Sequence, residues 1–559
     1  MGRCSTLLLL GGLLASASAR PWTPWDTVQT GNENAATVAN EQNNAPPSEN
    51  ADAGNVSDYK DIPASKEIKW VPCFGGNFTC MNLEVPLDYS DEGAGTTNIA
   101  FVRSVGGDGS GPDILFNPGG PGSSGTESLP PNIAVFRAIF GDEVNLVSFD
   151  PRGVKNSGPA ASSSCFGNET EFATLYSAMS AQETSMAERY RLVKAWGERC
   201  TAVNAESKTK YIGTSAVVQD MKHFIELQAT ANGKKAEDAK LWYYGVSYGT
   251  VVGQTFAAMF PDKVERMILD ANVPGERHYQ GDTSIDLVDA DAALLSFFDY
   301  CAEAGPDKCA FAGKDTQGQD VLTSDQLLAR FRHILHKLDN EPLGYWSLAS
   351  PLPGVLTKNL LLLQAFQLSY TPGQGFPLLA KLLQEVDYGN ATTYMQISAP
   401  GEAEGEQPTD ALPLITCLDS HKRRRRLSQD EFLQSIFDQE AISDYQGKVY
   451  AAQNGLFCTG LNIAPPESQQ FEGFKETKTK DPILFVNSLR DPITPLRAAH
   501  EMATYFPGSA VLAINGTGHG LTAAYGKCTQ EVLTAYLKDA SLPEAGKICD
   551  PDKKPIVDQ

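Results

Sequence analysis

The segment YYGVSYGT, Tyr243 to Thr250, places Ser247 between two glycines, each two positions away. A G-x-S-x-G pattern arises by chance about 0.3 times in a chain of this length, so its neighbours decide what it means. KLWYY before it has the composition of a strand, and TVVGQTFAAMF after it has that of a helix stopped by Pro261. This strand-turn-helix context predicts a sharp turn that presents Ser247 as a nucleophile. The alternative is an ordinary glycine-rich turn with a surface serine.

Short apolar segments alternate with helix-like segments along the chain. DILFNPGG and VNLVSFDPRG end in turn residues, as strands buried on both faces do, whereas ETSMAERYRLVKAWGERC and SAVVQDMKHFIELQA have the spacing of helices. The alternation predicts an α/β fold with a mostly parallel central sheet flanked by helices. In such sheets the chemistry lies at the carboxyl ends of the strands, which is where Ser247 is expected.

A serine hydroxyl becomes a nucleophile when an imidazole accepts its proton and a carboxylate orients that imidazole. In this fold type the carboxylate and then the histidine follow the serine along the chain. PILFVNSLRDPITP and SAVLAINGTGHG are strands followed by loops that contain Asp491 and His519, so we predict Asp491 as the acid and His519 as the base. His500, the other histidine after Asp491, lies in the helix-like LRAAHEMATYF and suits packing better. Asp491 could instead cap a helix before Pro492.

Acyl transfer also needs donors for the oxyanion of the tetrahedral intermediate. In this arrangement one donor is the backbone N–H after the nucleophile, here Tyr248, and another comes from the loop after an early strand. NPGGPGSSG, Asn117 to Gly125, is such a loop. We therefore predict Gly119 or Gly120 as the second donor, with a flexible turn as the alternative.

The N-terminus has the features of a secretory signal. Arg3 precedes an apolar stretch that is too short to span a bilayer, and Ala17-Ser18-Ala19 forms a cleavage site of small residues. We predict a signal peptide over residues 1–19 and a flexible leader or pro-segment over 20–64, which is rich in Asn, Ala, Asp, Glu and Pro. The mature protein is expected to be secreted and extracellular, without a membrane span.

Cysteine usage agrees with export, because removing Cys4 with the signal leaves ten of the eleven cysteines, an even number. Sequence proximity favours the pairs Cys73–Cys80, Cys165–Cys200, Cys301–Cys309, Cys417–Cys458 and Cys528–Cys549. N-x-S/T sequons, which would carry glycans in a secreted chain, occur at Asn55, Asn77, Asn168, Asn390 and Asn515. No C-x-x-C, H-x-x-x-H or H-E-x-x-H pattern is present, so we predict no metal site.

The formal net charge of -23 argues against a nucleic-acid or anionic-membrane partner, since both need a basic face. One basic run interrupts the acidic chain, from Lys422 to Arg426 in HKRRRRL. We expect it to be a solvated loop. A dibasic processing site and a patch for anionic substrates are the alternatives.

Six segments occur in a fixed order: CMNLEVPLDY, NPGGPGSSG, FDPRG, GVSYGT, SLRDPITP and GTGHG. Together, from about Lys69 to Cys549, they resemble the secreted tripeptidyl-aminopeptidase-like branch of the prolyl-aminopeptidase family of α/β-hydrolases. The resemblance implies Ser247 as nucleophile, Asp491 as acid and His519 as base. Proline-specific members carry H-G-G-P-G where this chain has Pro118 in place of the histidine, a departure that favours the tripeptidyl branch.

The resemblance also implies a division of the chain. We expect a hydrolase core in two parts, residues 65–275 and 481–559, with residues 276–480 inserted between them as a mainly helical cap over the active site. QLLARFRHILHKL is one helix-like segment of this insertion. Because an aminopeptidase needs an anion for the free amine of its substrate, Asp419 in ITCLDS is a candidate for that contact. The alternative is a solvated surface aspartate.

These observations predict a secreted serine exopeptidase that releases short N-terminal peptides through an acyl-enzyme. Its partners would be peptide substrates, and the mechanism requires no cofactor. A secreted carboxylesterase acting on small esters would use the same three side chains and is the alternative. A binding protein without catalysis is the minor alternative. Inactive relatives usually lack a member of the triad, and this chain has all three candidate residues.

Overall fold

The computed structural model describes residues 56–159, 165, 185–346, 353–398, 410–454 and 458–558. The predicted signal peptide over 1–19, most of the predicted leader and the sequons at Asn55 and Asn168 lie outside these residues.

One large sheet forms the centre of the fold, and two small hairpins lie apart from it. The strands in chain order are β1 (Val71–Cys73), β2 (Phe78–Pro86), β3 (Thr96–Ser104), β4 (Asp113–Asn117), β5 (Asn145–Phe149), β6 (Leu241–Val246), β7 (Val264–Asp270), β8 (Gly313–Lys314), β9 (Asp320–Val321), β10 (Leu343–Tyr345), β11 (Gly354–Leu356), β12 (Leu484–Arg490), β13 (Ala510–Thr517) and β14 (Ile548–Cys549). The large sheet has ten strands in the order β1-β2-β3-β5-β4-β6-β7-β12-β13-β14.

Pairing in the large sheet changes from antiparallel to parallel along its width. The pairs β1–β2, β2–β3 and β3–β5 are antiparallel, whereas every pair from β5–β4 to β13–β14 is parallel. The predicted α/β fold with a mostly parallel sheet is therefore confirmed. Strands β6, β7, β12 and β13 are neighbours, so their carboxyl ends share one edge.

Helices connect these strands. Their bounds are α1 (Gly125–Ser128), α2 (Ile133–Phe140), α3 (Met186–Val203), α4 (Thr214–Ala231), α5 (Tyr248–Met259), α6 (Gly275–Gln280), α7 (Ala290–Ala304), α8 (Ser324–Asn340), α9 (Lys358–Leu368), α10 (Pro372–Asp387), α11 (Thr392–Ser398), α12 (Ala411–Asp419), α13 (Gln429–Ile442), α14 (Gly447–Asn454), α15 (Leu496–Ala503) and α16 (Lys527–Asp539). Among the described helices, none has the length and apolar character that a bilayer crossing requires.

Side chains of the central strands alternate between two buried clusters, because successive residues of a strand face opposite sides. Leu115 and Tyr243 pack in a cluster with residues of α3, α4 and α5. Phe116 and Tyr244, one position further along, pack in a second cluster with residues of α2 and α16. The sheet is thus covered by helices on both faces, which explains why its central strands are apolar throughout.

Much of the segment between β7 and β12 has an apolar core of its own. Phe297 of α7, Phe331 of α8 and Phe376 of α10 are buried in one cluster that contains no residue from the strands of the large sheet. The predicted helix over QLLARFRHILHKL is confirmed as part of α8. It begins with a capping box in which Thr323 and Gln326 satisfy each other's backbone N–H.

The start of the folded chain differs from the prediction of a flexible leader as far as residue 64. Val56 bridges to Cys73, and Ser65 bridges to Leu83. Between them the buried Tyr59 donates its hydroxyl to the Phe101 carbonyl oxygen at 3.0 Å. The leader prediction fails over residues 56–64 because an apolar tyrosine and isoleucine in this polar segment find a place against the sheet.

All five predicted disulfides are present in the structure. The basic run is only partly a solvated loop. Lys422, Arg425 and Arg426 are exposed, whereas Arg424 is half-buried and donates to the carbonyl oxygens of Cys417 and Leu461. Burial lowers the pKa of Arg424 to about 10. The run therefore also fastens its own loop to neighbouring backbone.

A buried ion pair joins the segment after β5 to α4 and generates a stability prediction. Arg152 donates from Nε to Asp220 Oδ2 at 2.7 Å and from Nη2 to Asp220 Oδ1 at 2.8 Å, and both side chains are almost fully buried. Replacing Asp220 with alanine leaves a buried guanidinium without its counter-ion. We expect the free energy of unfolding to fall by about 3 to 5 kcal/mol, measured by guanidinium unfolding with the disulfides intact.

The control for this prediction is Glu198→Ala, which breaks the exposed pair with Lys194 on α3. An exposed pair contributes about 0 to 1 kcal/mol. If both variants lost the same free energy of unfolding, the buried pair would not stabilise the fold more than the exposed pair does.

Candidate active site

The backbone at Ser247 has the strained geometry of a nucleophile turn. Its φ and ψ are 57° and -127°, a conformation that non-glycine residues rarely adopt. The Ser247 N–H donates to the Asp270 carbonyl oxygen at 3.0 Å, and the Ser247 carbonyl oxygen accepts from the Thr250 N–H at 2.8 Å. Strand β6 ends directly before Ser247 and helix α5 begins directly after it, so the predicted strand-turn-helix context is confirmed.

Two glycines allow this turn because strand and helix touch there. A Cβ atom on Gly245 would lie 2.4 Å from the Gly249 carbonyl oxygen, and one on Gly249 would lie 2.5 Å from the Asn117 carbonyl oxygen. Both distances are far below an ordinary contact. The glycines of the motif are therefore required by close backbone approach, and the half-buried Ser247 side chain remains at the edge of the sheet.

Asp491 and His519 come together at the same edge. His519 Nδ1 lies 3.1 Å and 3.0 Å from the two carboxylate oxygens of Asp491, and the histidine and aspartate side chains are 1% and 0% exposed. Thr494 Oγ1 donates to Asp491 Oδ2 at 2.8 Å and lies 3.1 Å from His519 Nδ1. A carboxylate on Nδ1 leaves the other ring nitrogen, Nε2, for proton transfer.

The alternatives to this pair are not observed. Asp491 Oδ1 accepts from the backbone N–H groups of Ile493 and Thr494 within its own loop, and the residue at the N-cap position of helix α15 is Pro495. His500 lies within α15 and is exposed. Of the two histidines that follow Asp491, only His519 faces it.

Asp270 at the end of β7 connects the serine turn with the histidine loop. Its backbone oxygen accepts from the Ser247 N–H, and its Oδ2 accepts from the Leu521 N–H at 2.8 Å. A Cβ on Gly520 would lie 3.6 Å from Val246 Cγ1, so the two loops are also in packing contact. Within the described residues, no hydrogen bond joins the Ser247 hydroxyl to His519. Such bonds are often long before substrate binds.

The segment between β7 and β12 reaches this site through Tyr370. The His519 N–H donates to the Tyr370 carbonyl oxygen at 2.8 Å, and the two rings are 5.1 Å apart between centroids. A Cβ on Gly518 would lie 2.6 Å from Pro372 Cδ. The turn between helices α9 and α10 thus lies directly against the histidine loop, a contact that no sequence pattern indicated.

The predicted oxyanion donors lie beside the serine turn. Tyr248 is the first residue of α5, so its N–H has no intrahelical acceptor. A Cβ on Gly119 would lie 2.9 Å from Ser247 Cβ and 3.0 Å from the Tyr248 nitrogen. The Gly119 N–H itself donates to Asn117 Oδ1 at 2.9 Å. The loop is therefore in place, but the Gly119 N–H is already used within it.

A buried carboxylate fastens the glycine-rich loop. Asp150, which follows β5, accepts from the Ser124 hydroxyl at 2.7 Å and from the Thr126 N–H and hydroxyl, each at 3.0 Å. Burial raises the pKa of Asp150, and these donors oppose that shift. Asp150 of the FDPRG segment thus holds the end of the glycine-rich loop by hydrogen bonds. The sequence alone did not indicate this contact.

Asp419 is neither solvated nor free. Its side chain is 3% exposed. The Thr214 N–H donates to Oδ1 at 2.7 Å, and Oδ2 accepts from the Thr214 hydroxyl at 2.5 Å and lies 2.9 Å from His278 Nε2. Thr214 also shares a hydrogen bond with the Tyr248 hydroxyl. The alternative of a solvated surface aspartate is therefore wrong, because three groups hold the carboxylate at the start of α4.

Asp286 is a second acidic residue near the site, and the sequence did not single it out. Its Oδ2 accepts from the Tyr450 hydroxyl at 2.6 Å. Burial raises the pKa of Asp286 to about 7, with a further contribution from the charge of Asp282. Its charge also acts on Tyr370, whose pKa is raised mainly by burial. The acidic segment DTSIDLVDAD offers too many candidates for the sequence to distinguish this one.

The arrangement suits acyl transfer by a serine with an imidazole base and a carboxylate behind it. In the described part of the chain, His, Cys, Asp and Glu side chains do not gather in groups of three or more that could hold a metal ion.

Two family models match the chain. The model described as alpha/beta hydrolase fold matches residues 112–370, and the model described as TAP-like protein matches residues 444–549. The chain therefore has the α/β-hydrolase fold and carries a TAP-like segment in its C-terminal part. The first match contains the glycine-rich loop and the Ser247 turn, and the second contains Asp491 and His519.

Curated relatives match over most of the hydrolase. Serine protease Hip1 of Mycobacterium tuberculosis is 25% identical over 503 residues, which cover 86% of this chain and 91% of the relative. Tripeptidyl aminopeptidase of Streptomyces coelicolor is 24% identical over 497 residues, covering 85% and 84%. A solved thermophilic esterase from Thermogutta terrifontis, at 11% identity and a TM-score of 0.34, covers 82% of this chain and 99% of its own.

The fit of the glycine-rich loop against the serine turn generates a prediction for Gly119→Ala. Its Cβ would lie 2.4 Å from the Val246 carbonyl oxygen at a φ of +99°, so the loop must move away from Tyr248. We expect kcat to fall about 100- to 1,000-fold, the effect of losing one oxyanion donor, with a smaller change in KM. Steady-state kinetics on a cleaved substrate measures this effect.

Gly141→Ala is the matched control, because Gly141 has a φ of +89° but open space where the alanine Cβ would lie. This variant carries the same backbone strain away from the site. It should lose stability and keep its turnover, and a similar loss of kcat in both variants would contradict the oxyanion assignment.

Proposed function

We propose that this TAP-like α/β hydrolase is a secreted serine exopeptidase that releases short N-terminal peptides, with Ser247 as nucleophile, Asp491 as acid and His519 as base. The observation that carries the proposal is the buried Asp491–His519 pair, whose loop is bonded through Asp270 to the Ser247 turn. The serine-protease and tripeptidyl-aminopeptidase relatives support peptides as the substrate class.

The proposed reaction begins when Ser247 Oγ attacks the scissile carbonyl carbon and His519 Nε2 accepts the serine proton. Asp491 holds the ring by Nδ1 and stabilises the imidazolium that forms. His519 then gives the proton to the leaving amine, and water cleaves the acyl-enzyme by the same sequence of proton transfers. The acyl group released is the N-terminal fragment of the substrate.

The oxyanion accepts hydrogen bonds from the backbone N–H of Tyr248 and from that of the glycine-rich loop. Gly120 is favoured over Gly119 as the second donor, because the Gly119 N–H already donates to Asn117. Both donors are backbone groups on elements that pack against each other, so they need little reorganisation during the reaction.

An exopeptidase of this kind must bind the free amine of its substrate. Asp419 is the candidate that the sequence indicates, but its carboxylate is buried at the start of α4 and already has three polar partners. Asp286 is half-buried, accepts from Tyr450 and acts electrostatically on Tyr370, which lies against His519. We therefore place the substrate amine at Asp286, where an ammonium group would favour the ionised carboxylate.

Secretion is supported by the five disulfides, since such bonds persist in oxidising compartments. The segment over residues 276–480, which we propose as a cap, supplies both Asp286 and Tyr370. Its contact with the histidine loop is a reason to expect that it limits the length of the peptide that fits.

The test of this function is a substrate panel with wild type and Ser247→Ala. Peptides with free N-termini and a reporter after one to four residues are compared with their N-acetylated forms and with small esters. We expect cleavage of the free peptides, and a loss of about 10,000- to 1,000,000-fold in kcat in the variant. A serine-directed covalent inhibitor should label wild type only.

Other outcomes of the panel are decisive as well. Ester hydrolysis without peptide cleavage would make the protein a carboxylesterase. Unchanged turnover in Ser247→Ala would remove the serine assignment, and a wild type that neither cleaves nor is labelled would be a binding protein.

Asp286→Asn tests the amine contact. Losing one charge-assisted hydrogen bond should lower kcat/KM about 10- to 100-fold for peptides with a free N-terminus. N-acetylated peptides should be affected much less, because they carry no charge there. Asp282→Asn is the matched control, since Asp282 lies in the same segment but pairs with Arg277. Equal effects on free and acetylated peptides would exclude Asp286 as the anchor.

A further inference from the structure

Asp270 occupies a position that the reaction as described does not use. It is the last residue of β7, which lies between β6 and β12 in the sheet. Its backbone oxygen accepts from the Ser247 N–H at 3.0 Å, while its Oδ2 accepts from the Leu521 N–H at 2.8 Å and from the Tyr244 hydroxyl at 2.9 Å. One residue thus binds the backbone of both catalytic loops.

The Asp270 carboxyl group lies in a fully buried place among charged and polar neighbours. Burial raises the pKa of Asp270 to about 7, and the hydrogen bonds from Leu521 and Tyr244 oppose that shift. The charge of His519 also lowers the pKa, whereas the charge of Asp491 raises it. These are the groups that face it from the histidine loop, from β6 and from the loop after β12. Tyr370 lies on the His519 ring from the inserted segment.

The second carboxyl oxygen makes the position unusual. Asp270 Oδ1 is buried and has no hydrogen-bond partner among the described residues. A buried polar atom without a partner costs stability, and native proteins seldom keep one without a reason. An asparagine or serine could accept from Leu521 without placing a charge here, so the backbone bond alone does not account for an aspartate.

We propose that Asp270 is a positioning residue that sets the Ser247 turn through its backbone and the His519 loop through its carboxylate, and that its negative charge stabilises the imidazolium formed during the reaction. This inference rests on the proposed function, because it assumes that Ser247 and His519 are the nucleophile and base. Asp270 would act on them without touching the substrate.

The sign of the charge effect follows from electrostatics. An ionised Asp270 favours the protonated imidazole, and a neutral side chain does not. Asp270→Asn keeps an oxygen for the Leu521 N–H but removes the charge, so the imidazole should stay neutral to lower pH. The acid limb of the profile of kcat/KM against pH should therefore move down, by at most about 1 pH unit, because wild-type Asp270 itself becomes neutral below a pH of about 7. The plateau value of kcat should fall about 10-fold, since the imidazolium is less stabilised.

Tyr244→Phe gives an independent variant, because it leaves the Asp270 carboxyl group and its bond to the Leu521 N–H in place. It removes the hydroxyl that donates to Asp270 Oδ2, so Asp270 stays protonated up to a higher pH. The acid limb should move in the same direction as in Asp270→Asn, by a smaller amount. Phenylalanine fits the same aromatic cluster with Phe116 and Phe136, so this variant should fold.

The matched control is Asp113→Asn. Asp113 also carries a carboxyl whose pKa is raised by burial, but it is the first residue of β4 and lies at the amino edge of that strand, opposite the site. The acid limb of the kcat/KM profile of Asp113→Asn should coincide with that of wild type. Full pH profiles of the four proteins on one free tripeptide reporter, together with thermal unfolding, make up the experiment.

A lower acid limb in both Asp270→Asn and Tyr244→Phe, with Asp113→Asn unchanged, supports the inference. If Asp270→Asn does not unfold cooperatively, Tyr244→Phe decides alone. Acid limbs that match wild type, with kcat lost only in proportion to stability, would overturn the charge effect. That failure differs from failure of the proposed function, in which Ser247→Ala would retain turnover.

Discussion

The active site depends on one constraint, the positive φ of Ser247 between a strand and a helix that are in contact. A non-glycine residue in this conformation costs about 1 to 3 kcal/mol, and the surrounding backbone must hold it there. The hydrogen bonds from Ser247 to Asp270 and from Thr250 to Ser247 do so on both sides of the turn. Gly245 and Gly249 allow the strand and the helix to approach this closely, because a Cβ atom on either glycine would clash with backbone.

The inserted segment contacts both functional halves of the site, although it folds around its own apolar cluster. Tyr370 accepts from the backbone of His519. On the other side, helix α12 begins at Ala411, and a Cβ on Gly122 of the glycine-rich loop would lie 3.2 Å from the Ala411 side chain. The same helix ends at Asp419, which accepts a hydrogen bond from Thr214. A displacement of this segment would therefore disturb the proposed base and the proposed oxyanion donors together.

The sequence was sufficient for features that follow from local patterns, and insufficient for those that depend on packing between distant segments. The strands before Ser247, Asp491 and His519 could be predicted because each is a short apolar run that ends in turn residues. Cysteine pairing by proximity succeeded because each disulfide joins two consecutive cysteines of the chain after Cys4. The burial of Asp419 could not be predicted, because nothing near it in the chain shows that Thr214, more than two hundred residues earlier, would bind it.

Asp270 and Asp491 are two carboxyl groups near one imidazole, that of His519, and they differ in how well their hydrogen-bond donors support a negative charge. Asp491 accepts from two backbone N–H groups and the Thr494 hydroxyl besides facing His519, so its charge is well supported by donors. Asp270 has one orphaned oxygen and a pKa raised to about 7 by burial. Two full negative charges around a neutral imidazole repel each other, and an imidazolium attracts both. In the proposed reaction, the proton that moves from Ser247 to His519 therefore changes the electrostatic balance at this edge of the sheet, including at Asp270, which does not touch the substrate.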